Sequence, residues 1–598
     1  MKISHFVIIL FLLILSAGNG CNVNRYSALN LDFEKVDLKT SKATGWDESE
    51  YGFKVSVDTH DVYKGKYSLK IESVTDKYSI FNGGAVLIRI DNMHSAKRIR
   101  LSGFIKNENT DSDTCGLYIL YNPLVFKHVK ELSNKNFIGS HNWEEYSIEV
   151  VPEDEPDYFI VGVQMKGSGK IWVDNLRLFI DDKEVFNYPS PDKFKASKNE
   201  INWLKDHSVP IKTVHSGNGF KDLEPLREYL KNARIVALGE NTHGTAEIFE
   251  MKHRLLEFLS TEMGFNVFSI ESAMFNTDIL NNYIQTGNGD PKALMPTLTR
   301  AWNTQEVLDM IQWMKKYNES AAKKLQFTGF DMMDFYGSLR HLTDFADLNN
   351  KTLKALVDSL SLMLLSPSKT ENQLERDKQN FLKTRKCEQI LSWLENAKIQ
   401  STADDQKNEL NVLIQTANII SQYIDFYSNI NRSGMRDRFM AENISWILEN
   451  NPNSKIVLWA HNEHIAKQSD QMGEYLSRKY GDKYYPIGFL TNEGKYTASK
   501  GSVLTTENKL IQGLPGSFEY NFSKTGLPIF FFDLKSINRN DPNSFWLDKK
   551  LYQRIIGADA TDHQFFPVIL RNKFDAVLFI NSTSASKTFI PTNVSLSY

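Results

Sequence analysis

From residue 25 to 185 the apolar positions fall on every second residue or in short runs. FKVSV, YSLKI, AVLIRI, IRLSGFIK, GLYIL, EYSIEV, FIVGVQM and KIWVDNLRLF are separated by Gly, Asn and Asp turns. Alternation of this kind puts one face of each segment inside and one outside. Many short strands at such spacing predict an antiparallel, all-β sandwich of the jelly-roll type over residues 21–185. The alternation is lost in DDKEVFNYPSPDKFKASKNE, where Pro, Ser, Lys and Asp gather. A linker is expected there, at 186–200.

Beyond residue 200 the period changes. RIVAL (234–238) is a buried strand, TAEIFEMKHRLLEFLSTEM (245–263) has helical apolar spacing and stops at Gly264, and NVFSIE (266–271) is the next strand. Strands interleaved with helices predict an α/β domain with a mainly parallel sheet over 201–598, about seven strands once LQFTGFD, KIVLWA, YYPIGFL, PIFFFDL and FDAVLFIN are included. Between about 335 and 450 the pattern is mostly helical, as in LKALVDSLSLML, CEQILSWLENA and ELNVLIQTANIISQYIDFY. These helices exceed what one crossover needs and predict a helical cap walling a cleft, with Trp302, Tyr423 and Phe426 as contacts or as core. The 598 residues, 41% hydrophobic and 24% charged, suffice for two large cores.

A formal net charge of -3 gives no basic footprint, so nucleic acid is not expected as a partner. At the amino end Lys2 precedes the apolar run FVIILFLLIL (6–15), too short to cross a bilayer, and SAGNGC follows. Residues 1–20 are expected to be an export signal. Small residues before Cys21 resemble a bacterial lipobox, although Gly18 and Asn19 depart from it. The expectation is an exported protein lipid-anchored through Cys21 in the bacterial cell envelope, periplasmic or at the surface, touching membrane only through that anchor. Cys115 and Cys387 lie in different halves of the chain and make no disulfide framework.

The chemistry gathers at strand ends. LGENTHG ends a strand with Glu240 and places His243 three residues on; the next strand ends at Glu271. A right-handed crossover returns the second strand parallel to the first, so both carboxylates lie at one edge of the sheet. LQFTGFD brings Asp331 to that edge, and KIVLWAHNEH brings His461 and His464. Ligands bind at that edge in open α/β sheets. Each residue alone is as well explained by a loop cap or a satisfied buried side chain; together they predict an active site. Catalysis is assigned to His243, Glu240, Glu271, His461 and His464, and substrate binding to Lys252, Asp331 and Arg436. Structural pairing is the alternative for Arg436 and for Asp437 beside it. Lys252 sits among Ile248, Phe249, Leu255 and Leu256 on the apolar stripe of its helix, so it must snorkel to water or reach a partner in the cleft.

The stretch ARIVALGENTHGTAEIFEMKHRLLEFLSTEMGFNVFSIE, followed by KIVLWAHNEHIA, resembles the erythromycin esterase family, over about 200–598. The resemblance implies hydrolysis of an ester or lactone, with His243 as the general base for water, Glu240 and Glu271 as its carboxylates, and His461 and His464 as the histidine pair. Some family members are linked to exopolysaccharide synthesis. Where macrolide-cleaving members carry arginine this chain has Lys252, which cannot make a bidentate guanidinium contact. No GxSxG segment is present, so direct attack by water is preferred to an acyl-enzyme. The substrate is expected to be a small-molecule or glycan ester, and no cofactor is expected. The runner-up is a zinc hydrolase with His461 and His464 as ligands and His243 or a glutamate as the third. A non-catalytic, anchored carbohydrate-binding protein is the other alternative. NLDFE, GW at 45–46, GKYSLKI and WVDNLRL resemble jelly-roll modules of extracellular carbohydrate-active enzymes, with Trp46, Trp143 and Trp172 as core aromatics or sugar contacts.

Overall fold

Alternation in the first third of the chain resolves into two antiparallel sheets. A computed structural model describes residues 29–592 except 38–40, 51–52, 75–83, 92–95, 112–114, 122–127, 132–136, 153–157, 187–193, 350, 367–372, 429–431, 433, 501–502 and 562–563. The expected export signal, Cys21 and residues 187–193 of the expected linker lie outside the described residues. The chain forms two compact units, Met1–Phe194 with Asp559–Pro567, and Lys195–Ala558 with Val568–Tyr598.

In the first unit one sheet runs in the order Gly139–Val150, Ile99–Thr110, Lys170–Ile180, Ser68–Ser73, Phe53–Asp58, with Lys183–Val185 paired to Lys170–Ile180. The other runs Asp47–Glu50, Gly84–Asp91, Tyr158–Met165, Cys115–Tyr121, His128–Glu131. The chain passes repeatedly from one sheet to the other, which is the winding of a jelly roll. The inward alternates Val55, Ile71, Leu101 and Ile171 of the first sheet meet Ile88, Ile119 and Val161 of the second in one core. Trp46 belongs to that core, its Nε1 donating to the Asn30 carbonyl at 3.0 Å. Trp172 is also buried; its Nε1 donates to Asp58 at 2.9 Å and the ammonium groups of Lys70 and Lys106 lie over its ring. Trp143 is half-buried beside Tyr63.

The second unit holds a mixed sheet. Its strands are β1 (Val209–Pro210), β2 (Ile235–Leu238), β3 (Val267–Ala273), β4 (Gln326–Asp331), β5 (Ile456–Trp459), β6 (Tyr484–Lys500), β7 (Val503–Leu510), β8 (Ile529–Asp533) and β9 (Ala576–Thr583). The spatial order is β1-β8-β9-β6-β2-β5-β3-β4, with β7 paired to β6. From β9 to β4 the pairings are parallel; β8, β1 and β7 join antiparallel. Nine strands stand where apolar runs predict seven. Two-residue β1 is too short to leave a period, and β7, VLTTENKL, is mostly polar because it is a ribbon on β6.

Helix α1 (Ala246–Met263) joins β2 to β3. It ends at Gly264, whose φ of 74° is the left-handed C-cap that glycine adopts without a Cβ clash. Helices α2 (Tyr336–Asn349), α3 (Lys351–Leu365), α4 (Gln373–Gln400) and α5 (Asp404–Ser428) pack on each other around Leu342, Leu353, Leu360, Ile390, Leu394 and Ile420. They are inserted between β4 and α6 (Met435–Asn450), which leads back to β5; the short α7 (Asn462–Ile465) follows.

Candidate active site

The order β2-β5-β3-β4 places Glu240, His461, Glu271 and Asp331 side by side, each at or just past the carboxyl end of its strand. The loop after β2 is tied to the loop after β5. The Asn462 N–H donates to the Glu240 carbonyl at 2.8 Å, and the Asn462 side chain bonds both the N–H and the carbonyl of Phe489 on β6. The carboxamide can lie there because residue 239 is glycine. A Cβ at that position would stand 2.1 Å from Asn462 Oδ1. On β3 the register against β4 shifts between Ile270 and Ala273, a bulge around Glu271 of the kind that re-aims side chains beside functional sites.

Two charged chains converge on this edge. The first is sealed beneath it. Lys252 is fully buried and donates from Nζ to Glu240 Oε2 at 2.6 Å; Glu240 Oε1 lies 2.7 Å from His243 Nδ1. Lys252 also lies 4.3 Å from the centre of the Trp459 ring. Burial outweighs Glu240 and pulls its ammonium down to about 8. Of the partners open to Lys252 in the cleft, a carboxylate or a substrate oxygen, the structure supplies the carboxylate of Glu240. Its stem lies on the apolar stripe of α1 and its charge ends on Glu240, with no surface left for a substrate. With Nδ1–H donated to a carboxylate, His243 keeps its lone pair on Nε2, which has no hydrogen-bond partner among the described residues. The side chain is 15% exposed, and its ring packs edge-on against Trp302 and beside His461. Trp302 is buried, its Nε1 donating to the Glu271 carbonyl at 3.0 Å.

Arg436, on the first turn of α6, is the centre of the second chain. Its Nη2 donates to Asp331 Oδ2 at 2.6 Å and to Glu271 Oε1 at 2.8 Å, and its Nε reaches Asp331 at 3.2 Å. Glu271 Oε2 accepts the His461 backbone N–H at 2.9 Å. Burial would push the Glu271 carboxyl up, but His464 and Arg436 outweigh it and hold the group well below its ordinary range. His464 stands between two carboxylates, with Nδ1 2.8 Å from Asp437 and Nε2 3.3 Å from Glu271. Against burial, Asp437 and Glu271 raise its imidazole to about 10, so it carries charge. Arg436 Nη1 also lies 3.2 Å from His464 Nε2. A guanidinium only donates, so that contact would need a neutral ring; acceptors on both nitrogens favour the imidazolium, and we take it as charged. His461 is the opposite case. Its Nδ1 accepts the Glu463 N–H at 3.3 Å, which leaves the proton on Nε2, 3.0 Å from the Ile556 carbonyl. Burial and the neighbouring His243 and His464 hold it well below the ordinary histidine value.

All the sequence-assigned residues thus fall in one constellation except Cys21, which lies outside the described residues. Their roles divide differently: Asp331 and Arg436 form a structural ion-pair network with Glu271, which the sequence reading allowed for Arg436. Asp437 makes the structural pairing that the sequence allows, with His464, and Asn462, to which the sequence assigns no role, is the clamp between the two loops. Asn462 lies inside the HNEH segment, and a buried Asn beside a strand end is the usual signal of a backbone clamp. Among the described residues no group of three or more His, Cys, Asp or Glu is arranged to hold a metal ion.

A mixed α/β sheet thus gathers ionisable side chains at its carboxyl edge, the place where such sheets bind ligands. Comparison with known proteins narrows the class. Residues 260–583, more than half of the chain, match the family model for erythromycin esterase. The chain belongs to that family and is a hydrolase acting on ester bonds. Erythromycin esterase type II of Escherichia coli is 26% identical over 64% of this chain and 98% of its own length. Erythromycin esterase type I of Escherichia coli is 24% identical over 42% of this chain and 66% of its own. A crystal structure of a succinoglycan biosynthesis protein is similar with a TM-score of 0.58 and 30% identity, covering 65% of this chain and 98% of that one.

Proposed function

We propose that the protein cleaves a carboxylic ester or lactone by water activated at His243. The free Nε2 of a histidine whose Nδ1 is held by Glu240 is the observation that carries this reading. Nε2 takes a proton from water as the oxygen adds to the carbonyl carbon, and the resulting imidazolium returns it to the leaving alkoxide, giving acid and alcohol. Glu240 keeps the tautomer and stabilises the imidazolium. Arg436 Nη1, which no carboxylate among the described residues takes, is the donor left for the carbonyl oxygen as it becomes an oxyanion. Formal charges suit the step. Lys252 cancels Glu240, while Glu271, Asp331 and Asp437 exceed Arg436 and His464 by one, so charge forming on His243 meets a complementary field.

Water activation without metal is the form that the donor geometry supports, because zinc would need nitrogens that are already engaged. His461 has both committed to backbone groups, and His464 has both facing carboxylates. An acylated glycan or a macrolide remains the substrate proposed, and export with lipidation at Cys21 remains the proposal for location. The test is His243→Ala and His243→Gln against 4-nitrophenyl acetate and a panel of macrolides and acylated sugars, read by mass for addition of one water. Loss of about 10²- to 10⁴-fold is expected, with folding retained and the wild-type rate insensitive to chelator. Full activity in both variants would remove His243 as the base.

A further inference from the structure

An aromatic row stands on the helical insertion, next to the Asp331–Arg436 pair. It runs Tyr336, Phe335, Tyr423, Tyr427, Phe426, with centroid separations of 4.7, 4.8, 4.6 and 5.2 Å along it. Tyr336 and Phe335 belong to the segment that leaves β4 just past Asp331, and Tyr427 closes α5 shortly before Arg436. The row therefore rises from the carboxyl edge of the sheet, where the site lies. Tyr427 reports the proximity directly: burial raises its phenol, Arg432 and Arg436 pull it down, and Asp331 and Asp334 push it up.

Rings that only filled a core would be covered. Phe335 is, at 6% exposed, but Tyr336 is 60% and Tyr427 42% exposed. Three phenol hydroxyls, those of Tyr336, Tyr423 and Tyr427, have no hydrogen-bond partner among the described residues. Asp334 directly precedes Phe335 in the chain. Its Oδ1 accepts the Tyr336 N–H at 2.7 Å, and its Oδ2 has no hydrogen-bond partner among the described residues. It acts on both Tyr423 and Tyr427. The Arg432 guanidinium lies 5.1 Å from the Phe426 ring centre and 5.2 Å from that of Tyr427.

We infer that this row is a substrate subsite for a saturated ring bearing hydroxyl groups, a sugar ring of the ester substrate. A saturated ring offers C–H faces that pack on phenol rings, as a purely apolar body would. Only a hydroxylated ring also uses the phenol hydroxyls, which give and take hydrogen bonds, and the free carboxylate oxygen, which can only accept. A purely apolar ring laid on the row would leave those groups desolvated and unpaired, at a loss of affinity. The inference rests on the ester-hydrolase reading and adds to it the chemistry of the substrate beyond the scissile bond.

The full chain is assayed with methyl 6-O-acetyl-α-D-glucopyranoside and with cyclohexylmethyl acetate, the same acetyl ester on a ring without hydroxyls. The expected ratio of kcat/KM is at least about ten in favour of the sugar ester. Asp334→Asn and Tyr427→Phe are each expected to lower that ratio about five-fold, through KM rather than kcat. A wild-type ratio near one, or ratios unmoved by both variants, overturns the subsite. Binding is read separately by saturation-transfer NMR with an equimolar mixture of methyl glucoside, galactoside and mannoside. Transfer to at least one glycoside, weakened in Tyr427→Ala, supports the subsite even if neither ester turns over, in which case the hydrolytic reading fails instead. Transfer to none overturns the subsite.

Discussion

Replacing Lys252 by Met should move the pH dependence of hydrolysis without abolishing the fold. The ammonium and the imidazole are joined through one carboxylate by hydrogen bonds of 2.6 and 2.7 Å. That path puts the charge about 7 Å from the ring, where a unit charge at an effective dielectric near 20 is worth about 2 kcal/mol. Lys252⁺ opposes the arrival of a second positive charge on the same carboxylate. Without it the buried carboxylate recovers a positive partner by holding a proton on the imidazole. The acid limb of the rate profile should therefore move upward by about one to two pH units. At neutral pH the variant should lose about ten-fold in rate, and much of that loss should return at higher pH.

Stability acts as a separate readout. Lys252 lies near 8, below its ordinary value of 10.5, so the site strains to keep the ammonium charged at neutral pH. Removing it relieves that burial but takes one partner from Glu240, a loss that costs about 3 to 5 kcal/mol where no other charge replaces it and less where a protonated His243 does. The net change in thermal midpoint should be a modest fall. Lys252→Arg restores the charge and should restore the profile, though its larger head must fit against Trp459. The assay is 4-nitrophenyl acetate hydrolysis from pH 5 to 10, with the ring signals of His243 followed by NMR over the same range. An acid limb and ring titration that stay in place in Lys252→Met would refute the charge-compensation argument.

Two further outcomes follow from the same constellation. Gly239→Ala drives a Cβ to 2.1 Å from Asn462 Oδ1, and Asn462 cannot yield without dropping both bonds to Phe489. A loss of about 2 kcal/mol is expected, read as a lower midpoint in urea, together with loss of activity as the HNEH segment shifts; wild-type stability would show that the clamp gives way freely. His464 has a folded value raised from 6.5 to about 10, so its contribution is fully present below pH 6.5 and is lost as pH rises through about 10. The stability difference between wild type and His464→Asn should accordingly be largest near pH 6 and shrink toward pH 10 in urea titrations; a difference constant with pH would contradict the imidazolium assignment.

Much of this was legible before the structure, and the reason is periodicity. β2, β3 and β5 are buried along their whole length and β4 over its second half, and all four read as largely apolar runs, so the first charged residue in or after each marks the sheet edge. Glu240, Glu271, Asp331 and His461 could be placed together on that ground alone. Lys252 showed how far the argument reaches. Its position on the apolar stripe demanded a partner, but a period cannot tell a carboxylate beneath the sheet edge from a substrate above it. That distinction depends on the direction of one long side chain, whose ammonium ends on Glu240 and beside the ring of Trp459.

The resemblance alone singled out His243 as the proposed base; the partners that distinguish it from the other two histidines are not revealed by sequence spacing. His243, His461 and His464 look equivalent as residues following strands, yet each meets a different second group. His461 caps α7 and gives its other nitrogen to the Ile556 carbonyl, from a segment 95 positions away in the chain. His464 lies between Glu271 and Asp437, one from a strand end and one from a helix beyond the insertion. Only His243 has a single carboxylate and a free nitrogen, and its carboxylate is neutralised from behind by Lys252. The same three side chains are thereby set apart as a neutral backbone fastener, a cation held between carboxylates and, in the proposed mechanism, the base. An esterase that works by water needs a rigid edge, a donor for the oxyanion, and one group left able to take a proton.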